Sequence, residues 1–146
     1  MNKLRPVSPK LSGSTREPFA RFGQILELKK GWMDGKGEPF EFTKIALVSK
    51  ILYTILTQFS LIPPYIYPTI DNEISIEWES ETIDLELLFD LQDQKILCVK
   101  TNKILQVTTT SSFSYQAVME NQPEVQEFFQ QLVILATHPN SQQTRP

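Results

Sequence analysis

Hydrophobic residues in the first half of the chain recur at helical spacing in two stretches. Residues 18–30 carry apolar side chains mostly three and four apart, which predicts a first helix with Pro18 in its first turn and Gly31 as its stop. Residues 43–61 carry a wider apolar stripe, which predicts a second, longer helix at the centre of the core. The Pro63-Pro64 pair that follows cannot continue a helix.

The period then changes from helical spacing to strict alternation, which is typical of strands. In residues 73–79, Ile74, Ile76 and Trp78 alternate with polar residues, and residues 82–89 repeat the pattern after a turn. This predicts an antiparallel hairpin with one buried and one solvent-facing side. Residues 65–69 are predicted to be extended. Two more strands are predicted at 95–100 and 103–109, joined near Thr101-Asn102, and residues 108–112 are interpreted as a hydroxyl-rich connector.

A third helix is predicted from Pro123, with an apolar face that continues to Leu135. Helices and strands are therefore segregated along the chain, which indicates an α+β fold. We expect two N-terminal helices, an antiparallel β-meander of three to four strands, and a C-terminal helix packed on one sheet face. The predicted organisation is a single domain over residues 17–137 between flexible tails, 1–16 and 138–146.

Composition removes several classes of function. The 146 residues carry a net charge of −3 and contain one cysteine, Cys98, and one histidine, His138. Four-ligand zinc sites and a Cys–His nucleophile pair are therefore not expected. The Gly-rich residues 31–37 follow a helix and lack the Gly-Lys-Ser/Thr sequence of a phosphate-binding loop. We predict no catalytic residue, no metal ligand and no cofactor.

The same sequence favours a cytoplasmic protein that acts on neither membranes nor nucleic acid. Its N-terminus has no apolar signal region, and no apolar run approaches the ~20 residues of a membrane span. Direct nucleic-acid binding is not expected, because the structured part is acidic and no basic recognition helix stands out.

The most unusual feature is a run of acidic residues. Nine of the seventeen carboxylates lie between Asp71 and Asp93, and no Lys or Arg interrupts them. Three interpretations remain open: a solvated sheet face, a binding face for a basic protein partner, and a carboxylate site for a divalent metal or acid–base catalysis.

We favour the second interpretation, a non-enzymatic interaction protein of the antitoxin, immunity or accessory-subunit kind. The predicted contact residues are four carboxylates and two aromatic anchors: Glu77, Glu79, Asp84, Glu86, Trp32 and Tyr67. One alternative is a metal-dependent enzyme of unrecognised type that uses Asp34 or the hairpin carboxylates. Another is a structural subunit of a larger assembly.

Three short motifs within about residues 20–90 carry a resemblance to known proteins. They are Gly-Trp-Met-Asp-Gly-Lys-Gly at 31–37, Pro-Tyr-Ile-Tyr-Pro-Thr at 64–69 and Glu77-Trp78. In these the chain resembles a family of small uncharacterised bacterial proteins, although Asp71-Asn72 stands where that family has a glycine turn. The resemblance implies a bacterial or mobile-element origin and an accessory or defence-linked role, and it carries over no activity.

Overall fold

The computed structural model describes residues 16–132 as an α+β fold, in agreement with the predicted class. The elements, in chain order, are α1 (Arg16–Leu26), α2 (Phe42–Phe59), β1 (Tyr65–Pro68), β2 (Glu73–Glu79), β3 (Ile83–Asp90), β4 (Lys95–Asn102), β5 (Val107–Ser114), α3 (Tyr115–Met119) and α4 (Pro123–Gln130). None of the helices within this described part is long and apolar enough to cross a membrane.

The two N-terminal helices form where the apolar spacing predicted them. Helix α2 ends at Ser60, a left-handed residue (φ 55°) whose N–H donates to the Leu56 carbonyl, three residues before Pro63. Helix α1 ends earlier than expected, at Leu26 and not at Lys30. The chain continues there in single turns, because the Leu28 N–H donates to the Ile25 carbonyl at 3.1 Å in place of a helical partner.

The sheet is a five-stranded antiparallel meander in which the strands follow chain order from β1 to β5. The predicted inner face is present in β2, where Ile74, Ile76 and Trp78 are buried against the helices. The opposite side of β2 is not solvent-facing throughout, as predicted, because Ser75 and Glu77 are buried as well. Neighbouring strands continue this inner face, so that Ile76 pairs with Leu87. The helices and the inner face enclose the hydrophobic core, and the opposite, outer face carries the acidic residues.

The boundary between the last two strands was predicted wrongly. Strand β4 continues to Asn102, the turn lies at residues 103–106, and residues 108–112 belong to β5 and not to a connector. The Asn102 side-chain oxygen accepts from the N–H groups of Ile104 (3.0 Å) and Leu105 (2.9 Å), which stabilises the turn. The two apolar residues of this turn, Ile104 and Leu105, led to the incorrect prediction of a strand that begins at residue 103.

The C-terminal part contains a short helix that the sequence did not indicate. Helix α3 begins after Ser114, whose hydroxyl accepts from the Ala117 N–H at 3.0 Å as an N-cap. Helix α4 has Pro123 in its first turn, as predicted, and buries Val125 and Phe129. Helix α4 ends at Gln130, and Leu132 lies in the turn that follows it. The rest of the predicted helix, residues 133–135, lies outside the described residues.

Candidate functional site

The four predicted contact carboxylates lie together on the outer face of the sheet. Glu77 of β2 is the register partner of Glu86 of β3, and Glu79 is the partner of Asp84. We call these four residues the acidic face. Directly opposed like charges on neighbouring strands destabilise a sheet, so this arrangement opposes folding unless nearby groups offset it.

A buried serine stands between two of these carboxylates. The Ser75 hydroxyl lies 2.7 Å from Glu86 Oε2 and 3.0 Å from Glu77 Oε2. Ser75 has no exposed surface and Glu77 is only 8% exposed, although both belong to the outer face. A hydroxyl has one hydrogen to donate, so Ser75 holds both carboxylates close while it can fully satisfy one of them.

The other pair of the acidic face is more accessible to solvent, although Asp84 is only partly exposed and its Oδ1 is buried. Glu79 is exposed, and Asp84 makes an ion pair with Lys103 at 3.0 Å. The Lys103 ammonium also donates to the Ser80 carbonyl at 2.7 Å, which ties the β4–β5 turn to the β2–β3 turn. A depression of about 180 Å³ lies over the acidic face, bordered by Val99 and Thr101 on the β4 side.

The structure separates the two predicted aromatic anchors. Tyr67 is the register partner of Ser75 and is 1% exposed, so it lies beside the acidic face but offers almost no surface for contact. Trp32 lies in the loop before α2, where its indole N–H donates to the Glu38 carbonyl at 3.2 Å. Its ring centroid lies 6.2 Å from that of Phe40. Trp32 is therefore an anchor of its own loop, and its contacts there do not join it to the acidic face.

The glycine-rich loop is a miniature hairpin. Met33 and Lys36 exchange two backbone hydrogen bonds of 2.9 Å, and Asp34 (φ 51°) and Gly35 (φ 87°) form the turn between them. Two central residues with positive φ are the signature of a type I′ turn, for which Asp-Gly is a preferred pair. The Gly31 N–H donates to the Gly37 carbonyl at 2.8 Å and closes the loop. The backbone geometry of this turn therefore accounts for the Asp-Gly pair in the motif.

Glu73 also belongs to the outer face and was not among the predicted contact residues. Its register partner is Asp90. Burial raises the pKa of Glu73, and the carboxylates of Asp90, Asp71 and Glu86 raise it further. Strict alternation already placed Glu73 on this face in the sequence, but only the register shows that it faces another carboxylate.

The described residues contain no arrangement typical of a nucleophile or a metal site. Cys98 is fully buried on the inner face, and burial raises the pKa of its thiol to about 12. Within residues 16–132, no three His, Cys, Asp or Glu side chains are grouped so that they could hold a metal ion. Asp34, considered for the enzymatic alternative, lies at the exposed tip of the loop hairpin, and His138 lies outside the described residues.

A second depression, of about 290 Å³, lies where the segment before α2 meets the β1–β2 turn. Its charged lining residues have both signs, and Lys44 and Glu41 approach each other at 3.7 Å. With Glu38, Glu41 and Lys44 as its charged groups, this lining gives less preference for a ligand of one charge than the acidic face does.

Comparisons with protein-family models, with curated proteins and with solved structures return no match to this chain. The resemblance drawn from the three short motifs therefore stays a prediction.

Proposed function

We propose that this protein is a non-enzymatic interaction module that binds a basic protein partner through the acidic face. The observation that carries the proposal is the register of β2 and β3, which places Glu77 beside Glu86 and Glu79 beside Asp84. Carboxylates at this density create a negative field that attracts a positively charged surface and raises the rate of association.

The four carboxylates differ in burial, so we expect them to contribute differently to partner binding. Glu79 is exposed and is the residue best placed to form an ion pair with a partner. Glu77 is nearly buried and linked to Ser75, so it contributes to the field more than to direct contact. Asp84 is paired with Lys103, and a partner's arginine or lysine would compete with that ammonium group.

A charge reversal at Glu79 tests the proposal with little risk to the fold, because the side chain is exposed on the outer face. Glu127→Lys is the matched control, since Glu127 is also exposed but lies on α4, which packs on the inner side of the sheet. We expect Glu79→Lys to weaken binding of the basic partner by about five- to tenfold, from a lost ion pair and a new repulsion. The control should bind as the native protein does.

The measurement is a parallel capture from native cell lysate with the native protein and both variants, at low and high salt. A stoichiometric basic protein that is lost with Glu79→Lys and at high salt, but kept by Glu127→Lys, supports the proposal. Equal capture by all three proteins contradicts it. The enzymatic alternative is tested separately by thermal unfolding with added magnesium, manganese or calcium, because a specific metal site raises the melting temperature by mass action.

A further inference from the structure

The two outer edges of the sheet differ in how they are protected. At the β1 edge, the Thr69 N–H donates to the Glu73 carbonyl, so this register pair is a hydrogen-bonded one. Because hydrogen-bonded and non-hydrogen-bonded pairs alternate along an antiparallel ladder, the backbone N–H and C=O groups of Ile66 and the C=O group of Pro68 point away from β2. Arg21 Nε donates to the Ile66 carbonyl at 3.2 Å, and Pro68 has no N–H to offer. This edge is therefore short and blocked.

The β5 edge has none of these features. The Tyr115 N–H donates to the Gln94 carbonyl, so the pair next to the end of β5 is a hydrogen-bonded one. By the same alternation, residues 107, 109, 111 and 113 form the hydrogen bonds to β4. The N–H and C=O groups of Thr108, Thr110 and Ser112 consequently point away from the sheet. All three residues are exposed, and no strand within residues 16–132 pairs with this side of β5.

Strand β5 contains no charged residue and no proline in its eight positions, Val107–Ser114. Native proteins commonly protect an edge with charge, proline or a bulge, so a bare edge of this length is suited to accept another strand. We infer that the β5 edge binds a second copy of this chain, in an antiparallel pairing centred on Thr110, to form one continuous sheet.

The strand is complementary to itself in this register. On the outer face, Thr110 meets Thr110 of the second copy, and Thr108 meets Ser112, so hydroxyls oppose hydroxyls. Thr101 and Thr108 already form such a pair within the chain, with their hydroxyl oxygens 3.2 Å apart. On the inner face, Val107 meets Phe113 of the second copy, which covers a side chain that is 49% exposed in the single chain. The pairing supplies about six backbone hydrogen bonds.

The same register places two strongly exposed apolar residues next to the second copy. Ile104 and Leu105, at 70% and 69% exposure, lie in the β4–β5 turn directly before the paired strand. A symmetric pairing carries this turn past Ser114 of the second copy, to the start of its α3. The two-fold axis is perpendicular to the sheet, so both acidic faces lie on the same side of the dimer. The inference does not depend on whether those faces bind a partner.

Two substitutions at Thr110 test this pairing without removing a bond of the β4–β5 ladder. Thr110→Pro deletes an N–H that points outward, and Thr110→Lys places two ammonium groups together at the two-fold axis. Thr43→Lys, at an exposed position on α2, is the matched control. Circular dichroism of each variant checks that the fold is kept.

The readout is solution mass by light scattering and sedimentation over a range of concentrations. We expect the native protein and Thr43→Lys to reach twice the 16.8 kDa of the chain, and both Thr110 variants to stay at the single-chain mass. Mixing Thr110→Lys with Thr110→Glu should restore a dimer, because opposite charges then meet at the axis. A native protein that stays monomeric at the highest concentration, or a dimer insensitive to every Thr110 variant, would overturn the inference.

Discussion

Substitution of Gly37 by alanine tests whether the loop motif exists to seat Trp32. A Cβ at Gly37 would lie 2.5 Å from the indole Nε1 and 2.7 Å from Cε2, closer than non-bonded atoms can approach. The residue also has φ +97°, a conformation that alanine adopts with strain. The indole would have to move, and it would then lose its hydrogen bond to the Glu38 carbonyl.

The expected magnitude is a sum of separate effects. The positive φ costs about 1–2 kcal/mol for a residue with a Cβ. Displacing a packed indole costs about 1–3 kcal/mol, and the lost hydrogen bond contributes about 1 kcal/mol. Some of these overlap, so we expect Gly37→Ala to lower the free energy of unfolding by about 2–4 kcal/mol.

Two other glycines supply matched controls that separate strain from contact. Gly35 has φ +87° but nothing within 4 Å of an added Cβ, so Gly35→Ala should cost only the strain, about 1–2 kcal/mol. Gly23 lies in α1 with nothing within 4 Å and no positive φ, so Gly23→Ala should stabilise the protein by about 0.5–1 kcal/mol. The expected order is therefore Gly23→Ala, native, Gly35→Ala, Gly37→Ala, from most to least stable.

The assay is urea unfolding at 25 °C with the slope of the transition held as a check on two-state behaviour. A double-mutant cycle with Trp32→Ala isolates the contact, because removal of the indole should restore part of the loss at Gly37 and none of the loss at Gly35. If Gly37→Ala is no more destabilising than Gly35→Ala, or if the cycle shows no coupling, then the proposed close contact with Trp32 is refuted.

Two further predictions follow from the titrating groups. Burial and neighbouring carboxylates, above all that of Asp90, raise the pKa of Glu73, so its ionisation opposes folding. Protonated Glu73 therefore contributes stability that is fully present below its unfolded-state pKa and is lost as the pH rises through its folded-state pKa. Glu73→Gln should therefore raise the melting temperature near neutral pH, with a gain that shrinks towards about pH 3; a gain that does not change with pH would argue against this cause. For Cys98, full burial and a pKa raised to about 12 predict that a thiol reagent modifies the native protein only as fast as it opens, so that added urea accelerates the reaction in step with unfolding; rapid labelling of folded protein would contradict the buried position.

Much of the fold was readable from local patterns, for reasons that are local themselves. The alternation of Ile74, Ile76 and Trp78 with polar residues specifies a strand with its apolar side chains on one face, whatever it pairs with. The Pro63-Pro64 pair forbids a longer α2 by covalent geometry. Both features act within a few residues, and the structure confirms both.

The errors occurred where local chemistry has two meanings. Threonine and serine suit exposed strands and loops alike, so the hydroxyl-rich residues of β5 were interpreted as a connector. Ile104 and Leu105 look like strand residues but lie in a turn that the Asn102 side chain stabilises. The pairing of β5 with β4, a tertiary interaction, decided between the alternatives.

The candidate site shows the same division. The sequence by itself determined that the acidic residues of β2 and β3 share one face, because side chains alternate along a strand. Only the register decided that Glu77 opposes Glu86, that buried Ser75 contacts both, and that Lys103 reaches Asp84 from another turn. The register of this hairpin depends on the turn, in which the Ser80 N–H donates to the Ile83 carbonyl, and on the burial of the inner face. A pattern read along one strand does not contain that information.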